Sequence, residues 1–256
     1  MQPIYYRELI LKVGEVWFEA ARPEVAADVV RLMQSPSPLA GGRSESFHTL
    51  WFDLSLSEEM LLKGMDRSTR YKVKRAEERD EITYRHGAVW EPADLADFVA
   101  VYRSVQRENS APPLKLGRLH GLARAGLLEL SVVRDKESRD LSWHVHLVTD
   151  GMARMLHSVS GFSNTEDQEV QRLRGRANRL HHWLDMRRFR GIGCARYDFG
   201  GYYTGRSDEK KLRINFFKSG FGGQVVETFN CFYPVSALGR MAMQGRRMLR
   251  ALRRSA

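Results

Sequence analysis

Three arginines alternate with other residues in one short stretch of the sequence. Arg174 and Arg176 flank Gly175, Arg172 lies two residues before Arg174, and Ala177 follows Arg176. The stretch comes after a predicted strand and opens a predicted helix, where the first-turn N–H groups have no acceptor within the helix. Such N–H groups, together with small residues and nearby positive charge, form a binding site for phosphate or pyrophosphate. The pattern is short, so the alternative is an arginine-rich helix start without a ligand.

Two histidines, His144 and His146, occupy alternate positions of a predicted strand and therefore share one of its faces. Such a pair can bind a metal ion, and His157 on the facing strand is the further candidate ligand. Catalytic metal sites usually have three protein ligands, and no Cys, Asp or Glu stands at ligand spacing from the pair. We therefore interpret both histidines as polar side chains on a strand face and predict no metal site.

The charge of the chain is basic and unevenly distributed. Its 256 residues include 41 Lys or Arg and 31 Asp or Glu, which gives a formal net charge of +10. Residues 1–60 hold 5 basic and 9 acidic residues, whereas residues 237–256 hold 6 arginines and no acid. This balance favours an anionic partner such as a phosphorylated cofactor, nucleic acid or anionic lipid. A merely solvated basic surface is the alternative.

The composition is that of a globular protein, with 43% hydrophobic and 28% charged residues. No run approaches the roughly 18 apolar residues that a membrane-spanning helix needs. The N-terminal sequence lacks the continuous apolar stretch of a signal peptide. Two cysteines, Cys194 and Cys231, cannot form a disulfide framework. We therefore expect a reduced, cytoplasmic environment.

The last segment of the chain, residues 237–256, has the pattern of a basic amphipathic helix. Its apolar residues recur at helical spacing, and they are Leu238, Met241, Ala242, Met248, Leu249 and Leu252. Arginines fill much of the remaining surface, so the helix could lie on an anionic membrane. Docking of the apolar side onto the rest of the same protein is the alternative.

Hydrophobic periodicity predicts a mixture of strands and helices. The predicted strands are residues 4–19 with a turn at Gly14, 48–55, 127–133, 141–148, 152–159, 195–199, 214–218 and 224–229. The predicted helices are residues 23–34, 57–76, 95–105, 114–125 and 170–189. This order predicts a mixed sheet with helices packed on it.

Three blocks of sequence resemble one family of transferases. They are STRYKVKRAE at residues 68–77, YDFGG at 197–201 after a long helix, and FKSGFGG at 217–223. In this order, over residues 50–230, they are similar to the Fem-type, GNAT-like acyltransferases. The stretch from Arg172 to Ala177 also resembles the pyrophosphate-binding signature of the GNAT superfamily.

The resemblance implies an α/β (α+β) fold, in which a GNAT-like mixed, mostly antiparallel sheet is flanked by helices. Because few residues precede the first block, we expect an abbreviated N-terminal lobe with a basic helix at residues 1–82. The transferase core then covers residues 83–236, and the basic amphipathic helix covers residues 237–256.

The resemblance also implies roles for individual residues. Lys218 would lie near the acyl carbonyl and stabilise the oxyanion that forms when an amine attacks. Phe217 would form a wall of the donor site, and the alternative for both is a glycine-bounded hairpin with an exposed lysine. Asp198 is a candidate base, although its carboxylate could equally anchor the turn that follows it. Tyr102 and Arg107 stand where Fem-type enzymes bind the acceptor, but the sequence just after Arg107 departs from that pattern.

The function that this resemblance implies is direct transfer of an acyl group to an amine, without a covalent enzyme intermediate. We expect acyl-CoA as the donor and a small or cell-envelope-precursor amine as the acceptor, with no metal. Donor-binding residues would be Arg172, Arg174, Gly175, Arg176, Ala177 and Phe217. An aminoacyltransferase that uses aminoacyl-tRNA is the second interpretation. A non-catalytic basic module that binds nucleic acid or an anionic membrane is the third.

Overall fold

The fold is taken from a computed structural model that describes residues 2–89, 92–109, 112–149, 151–160 and 167–245. Its contacts divide the chain into two compact units. The first unit contains residues 1–48, 115–122 and 227–256, and the second contains residues 49–114 and 123–226. The sequence-based boundaries at residues 82 and 236 remain a prediction.

The first unit is built on short strands. Strands β1 (Ile4–Glu8) and β2 (Leu11–Trp17) form an antiparallel hairpin, and β2 pairs in parallel with β3 (Val29–Ser35). Strand β10 (Gln224–Pro234) then pairs antiparallel with β3 through its second half. A small apolar core lies on these strands and includes Val16, Val30, Leu32, Cys231 and Tyr233.

The second unit holds a mostly antiparallel sheet in the order β4-β9-β8-β7-β6-β5. Its strands are β4 (Arg43–Asp53), β5 (Thr83–Ala88), β6 (Leu128–Arg134), β7 (Asp140–Thr149), β8 (Met152–Ser160) and β9 (Arg196–Gly201). Among the described residues of this unit, β8 and β9 pair in parallel, and the other neighbouring strands pair antiparallel. This arrangement confirms the predicted mixed, mostly antiparallel sheet.

Helices flank this sheet, as the sequence predicts. They are α1 (Glu58–Gly64), α2 (Arg67–Arg79), a 3-10 turn (Pro92–Leu95), α3 (Ala96–Asn109), α5 (Gln168–Gly191) and α6 (Glu209–Ser219), whereas α4 (Leu116–Arg124) belongs mostly to the first unit. The C-terminal half of α5 packs its apolar side chains, among them Leu180, Trp183, Met186 and Phe189, into the large core of this unit. A further helical segment covers residues 237–245, and the rest of the predicted C-terminal helix lies outside the described residues.

Two predicted elements are wrong. Residues 23–34 do not form a helix, because Val29, Val30 and Leu32 are buried in strand β3 between two partner strands. Residues 214–218 do not form a strand but belong to helix α6. The Asp208 carboxylate caps this helix by accepting from the N–H of Lys211 at 3.1 Å.

Two further predictions need a smaller correction. The first hairpin turns at Leu9 and Ile10, not at Gly14, which lies inside β2 where a Cβ atom would come 2.2 Å from Val25 Cγ1. The helix predicted over 57–76 is two helices. Ser57 caps the first, and a second cap at Asp66 starts α2 after the extended residue Met65.

Candidate active site

Lys218 lies on the inward side of helix α6, near its C-terminal end. Its side chain is buried, and Nζ donates a hydrogen bond to the carbonyl oxygen of Gly201 at 2.8 Å. Nζ also lies 5.6 Å from the centre of the Phe199 ring. Burial and the positive charge of Arg154 together lower the pKa of Lys218 to about 8, against the opposing effect of Asp198. The amine is therefore held at a glycine turn rather than in open solvent.

Asp198, inside β9, fixes the last two residues of that strand, where the pairing with β4 is irregular and which we call the Gly200–Gly201 turn. The buried carboxylate accepts from the hydroxyl of Thr49, from the guanidinium of Arg154 and from the N–H of Gly200, the last at 2.7 Å. Gly200 has φ of +82°, and a Cβ atom there would lie 3.7 Å from Lys218 Nζ. A carboxylate engaged by three donors fits the anchoring alternative. The candidate role of Asp198 as a base remains a prediction.

Aromatic rings form one wall beside Lys218. Phe217 is half-buried, and its ring centre lies 5.5 Å from Phe221 and 5.6 Å from His182. Phe199 lies 6.5 Å from Phe217, and its ring centre is 5.6 Å from Lys218 Nζ. Phe217 thus belongs to the ring group that borders the lysine through Phe199, and its role as a wall of the donor site remains a prediction.

The predicted phosphate loop is helical throughout. Helix α5 begins at Gln168, and the carboxylate of its N-cap residue Asp167 accepts from Glu169 N at 3.1 Å. The stretch from Arg172 to Ala177 therefore lies in the second and third turns instead of opening the helix. Backbone N–H groups at these positions are used within the helix, so a phosphate could be bound there only by side chains.

The five predicted donor residues of α5 have different surroundings. Arg172 is exposed and pairs with Glu169, whereas Arg176 pairs with Asp80 at 2.6 and 3.0 Å. Arg174 is half-buried. Ala177 is fully buried and packs against Val133 and Leu141, so its small size serves the core. Gly175 is open within the described part of the chain, because a Cβ atom there would come near the Arg179 guanidinium alone among other side chains, at 4.0 Å.

The two predicted acceptor residues lie on α3. Tyr102 is buried, and its hydroxyl donates to the carbonyl oxygen of Pro112 at 2.9 Å. Its ring meets His157 edge-on at 5.5 Å, and burial raises the pKa of the phenol. Arg107 is exposed five residues further along the helix. Tyr102 and Lys218 make their hydrogen bonds to different groups, the carbonyl oxygens of Pro112 and Gly201.

Sequence reasoning missed a buried polar cluster under the sheet, which we call the histidine cluster. It contains His144, His146, His181, His182 and Asp185, all at most 1% exposed. Nδ1 of His144 donates to Asp185 at 2.6 Å, and the His144 ring stacks on His181 at 3.7 Å and on His182 at 4.2 Å. The cluster escaped notice because its members come from a strand and a distant helix, with no common spacing.

The histidine cluster is also held by hydroxyl groups. Ser131 and Tyr84 donate to Asp185 at 2.8 and 3.0 Å. The pKa of Asp185 lies far below its usual range because the neighbouring histidines outweigh the effect of burial, which raises it. Burial lowers the pKa of His146 to about 4.

The histidine cluster corrects the predicted third metal ligand. His157 lies against Phe98 and Tyr102, whereas Asp185 offers an oxygen beside His144 and His146. One donor atom from each of these three residues lies within 4.8 Å of the others, so they could hold a metal ion. In the structure, hydrogen bonds occupy the Asp185 oxygens, so a metal would have to displace them.

Comparison with known proteins places the fold. The family model described as "Acetyltransferase (GNAT) domain" matches residues 63–211, which is more than half of the chain. No curated protein sequence matches. Among solved structures, FemX superposes with a TM-score of 0.64 at 12% identity, covering 91% of this chain and 84% of that chain. The C-terminal domain of a protein assigned as a lysylphosphatidylglycerol synthetase, from Agrobacterium fabrum, gives 0.53 at 15% identity, covering 86% and 72%.

The mixed sheet, the flanking helices and the family match define an acyltransferase of the GNAT type. The chain belongs to the GNAT acetyltransferase-domain family, with a fold of the Fem-like kind. Among the described residues, every helix is too short or too polar to span a bilayer.

Proposed function

We propose that this protein is an N-acyltransferase that moves an acyl group from acyl-CoA to the amine of a small or cell-envelope-precursor acceptor. The observation that carries the proposal is the buried amine of Lys218, held at the Gly200–Gly201 turn beside an aromatic wall. Membership of a GNAT family supports acyl-CoA as the donor. A cytoplasmic protein in peripheral contact with the inner membrane face, through residues 237–256, is part of the proposal.

The proposed reaction is a single displacement. The acceptor nitrogen attacks the thioester carbonyl carbon, the C–S bond breaks, and the proton of the amine passes to a base or water and then to the thiolate. Negative charge develops on the carbonyl oxygen. With a pKa of about 8, the Lys218 amine is mostly protonated at pH 7 and can stabilise that oxygen. In this proposal Asp198 acts as a positioning residue, because it fixes the turn opposite the amine.

The donor and acceptor assignments are part of the same proposal. The first half of α5, with Arg172, Arg174 and Arg176 near the open Gly175, would face the phosphates of CoA. The pair of Arg176 with Asp80 would then have to open or be bridged. Tyr102 and Arg107 would line the acceptor side on α3.

Aminoacyl-tRNA is the second candidate donor. It is favoured by the basic surface of α2, where Arg67, Lys74 and Arg79 are exposed. A polyanionic RNA would be bound there through its phosphates, and its affinity would fall steeply with salt.

The Lys218→Ala variant tests the proposed chemistry. We expect kcat to fall by about 100-fold, with donor affinity nearly unchanged, because the lost interaction forms only in the transition state. The matched control is Lys211→Ala, because Lys211 is an exposed lysine of the same helix that pairs with Asp208.

Thermal shift with acetyl-CoA, CoA and charged tRNA identifies the donor, since a ligand that binds the folded state raises the melting temperature. A shift with acetyl-CoA and none with tRNA supports the first donor. No shift with any of the three, and equal turnover in Lys218→Ala and Lys211→Ala, would contradict the enzyme. Loss of RNA or vesicle binding on removal of the C-terminal arginines would then favour the non-catalytic basic module.

A further inference from the structure

Arg179 has no carboxylate in contact among the residues that the structure describes, unlike the ion-paired arginines of α5. Its Nη1 donates to the carbonyl oxygen of Gly175 at 2.8 Å, and its guanidinium lies 4.8 Å from the centre of the Phe217 ring. Its Nε is buried and has no hydrogen-bond acceptor within the described residues. By contrast, Arg176 pairs with Asp80, and Arg187 pairs with Glu58 and Glu77.

A half-buried guanidinium without a counter-charge is unfavourable, since burial penalises the charged form. Burial lowers the pKa of Arg179, and the charge of Asp66 only partly opposes this effect. Asp66 makes its hydrogen bond elsewhere, because its carboxylate accepts from Thr69 N at 2.6 Å as the cap of α2. An anion bound at Arg179 would supply the missing acceptor and the missing charge together.

The surroundings of Arg179 leave room for such an anion. Gly175 lies one helical turn earlier, and among the described side chains only the guanidinium, at 4.0 Å, comes near the space that a Cβ atom there would fill. Phe217, on which the guanidinium stacks, is the sequence neighbour of Lys218. The Arg179 guanidinium therefore lies between the surface of α5 at Gly175 and the Phe217 ring beside the candidate active site.

We propose that Arg179 binds a phosphate group of the acyl donor and so fixes the donor against the Phe217 wall. This inference rests on the proposed function for the identity of the donor. A planar guanidinium can bind two phosphate oxygens at once, and stacking on a ring fixes its orientation in advance. In this proposal a side chain binds the phosphate in place of the backbone of residues 172–177, whose N–H groups are used within the helix.

The test measures binding by titration calorimetry with inorganic pyrophosphate, CoA, 3′-dephospho-CoA and uncharged tRNA. Arg179→Gln removes the charge, and Arg179→Lys keeps it without the planar fork. The matched control is Arg187→Gln, because Arg187 lies on the same helix with acidic partners of its own. We expect Arg179→Gln to weaken pyrophosphate and CoA binding by at least 10-fold, Arg179→Lys to weaken it less, and Arg187→Gln to have no effect.

The outcomes separate this inference from the proposed function. Tighter binding of CoA than of 3′-dephospho-CoA would assign the 3′-phosphate, equal binding would assign the pyrophosphate, and binding of tRNA alone would assign an RNA phosphate. Failure of the wild type to bind any of these probes, or equal binding by the folded Arg179→Gln variant, would overturn the inference. Binding that depends on Arg179 without any acyl transfer would keep the inference and reject the proposed function.

Discussion

The second unit buries two charged side chains in opposite ways. Asp185 accepts three hydrogen bonds, from Tyr84, Ser131 and His144, so its charge is compensated from several sides. Lys218 has three N–H donors but, among the described residues, one hydrogen-bond acceptor, the carbonyl oxygen of Gly201. The pKa of Asp185 is lowered, which favours its charged form, whereas the lowered pKa of Lys218 disfavours the charge.

This difference separates a group that stabilises the fold from one that is available for chemistry. A fully bonded buried charge holds its neighbours in place, and removing it leaves several donors unpaired. A buried charge with spare donors lowers stability, and the protein recovers that cost only when another atom accepts from it. An oxyanion would be such an acceptor for Lys218.

The largest expected effect on stability follows removal of Asp185. In Asp185→Ala, the donors on Tyr84, Ser131 and His144 lose their acceptor inside the core. We expect the free energy of unfolding to fall by about 3–5 kcal/mol, measured by urea denaturation. The control Glu169→Ala breaks an exposed pair with Arg172 and should cost at most about 1 kcal/mol. Equal losses in both variants would show that the buried Asp185 contributes no more to stability than an exposed ion pair does.

The acid dependence of stability tests the histidine cluster next. The pKa of His146 is about 4 in the folded protein and near 6.5 when unfolded. Between these values the unfolded chain binds more protons, so the free energy of unfolding falls as the pH is lowered from 6.5 towards 4. We expect a loss of about 3 kcal/mol at pH 4 from this residue.

Denaturation curves at several pH values measure this loss. His146→Phe should reduce the slope between pH 4 and 6.5, because the residue that takes up the proton is gone. The exposed His86→Phe should leave the slope as it is in the wild type. A wild-type slope retained in His146→Phe would show that the acid sensitivity arises elsewhere.

Removal of the Lys218 charge should have the smallest effect on stability, and this effect should be a gain instead of a loss. Lys218→Met removes the desolvated charge, so we expect the free energy of unfolding at pH 7 to rise by about 1–3 kcal/mol while turnover is lost. As the pH rises above about 8, the free energy of unfolding of the wild type should increase and the difference between the two proteins should shrink. The reason is that the pKa of Lys218 is lower in the folded protein than in the unfolded chain. A variant that is less stable than the wild type at pH 7 would show that the amine is compensated like Asp185.

The sequence predicts most of the second unit because its elements are long and periodic. Strands β7 and β8, with the tight turn at Gly151, and helix α5 follow directly from the spacing of apolar residues. The residues 214–218 mislead, since β-branched and aromatic side chains favour a strand locally. The cap at Asp208 and the burial of Asn215 and Lys218 on one side produce a helix instead.

The candidate site could be predicted only in part. The glycines around residues 200 and 220 and the resemblance single out Lys218, and the structure brings it to the Gly200–Gly201 turn. The histidine cluster could not be found in this way, because it depends on which face of α5 meets β7. Arg179 was missed for a related reason, since an arginine without an acidic partner cannot be recognised before the partners of its neighbours are known.

Sequencing selected variants at Gly175 and Gly200 would separate the positions needed for folding from those needed for turnover. In a library randomised at each position, Gly200 should be largely retained under either selection, because its φ of +82° is a backbone conformation that residues with a side chain rarely adopt. Gly175 has free space, so selection for folded protein should accept many residues there, and selection for turnover should accept few. The number of residues accepted at each position of α5 can then be compared between the two selections. Positions that accept fewer residues under selection for turnover would be those that contact the donor.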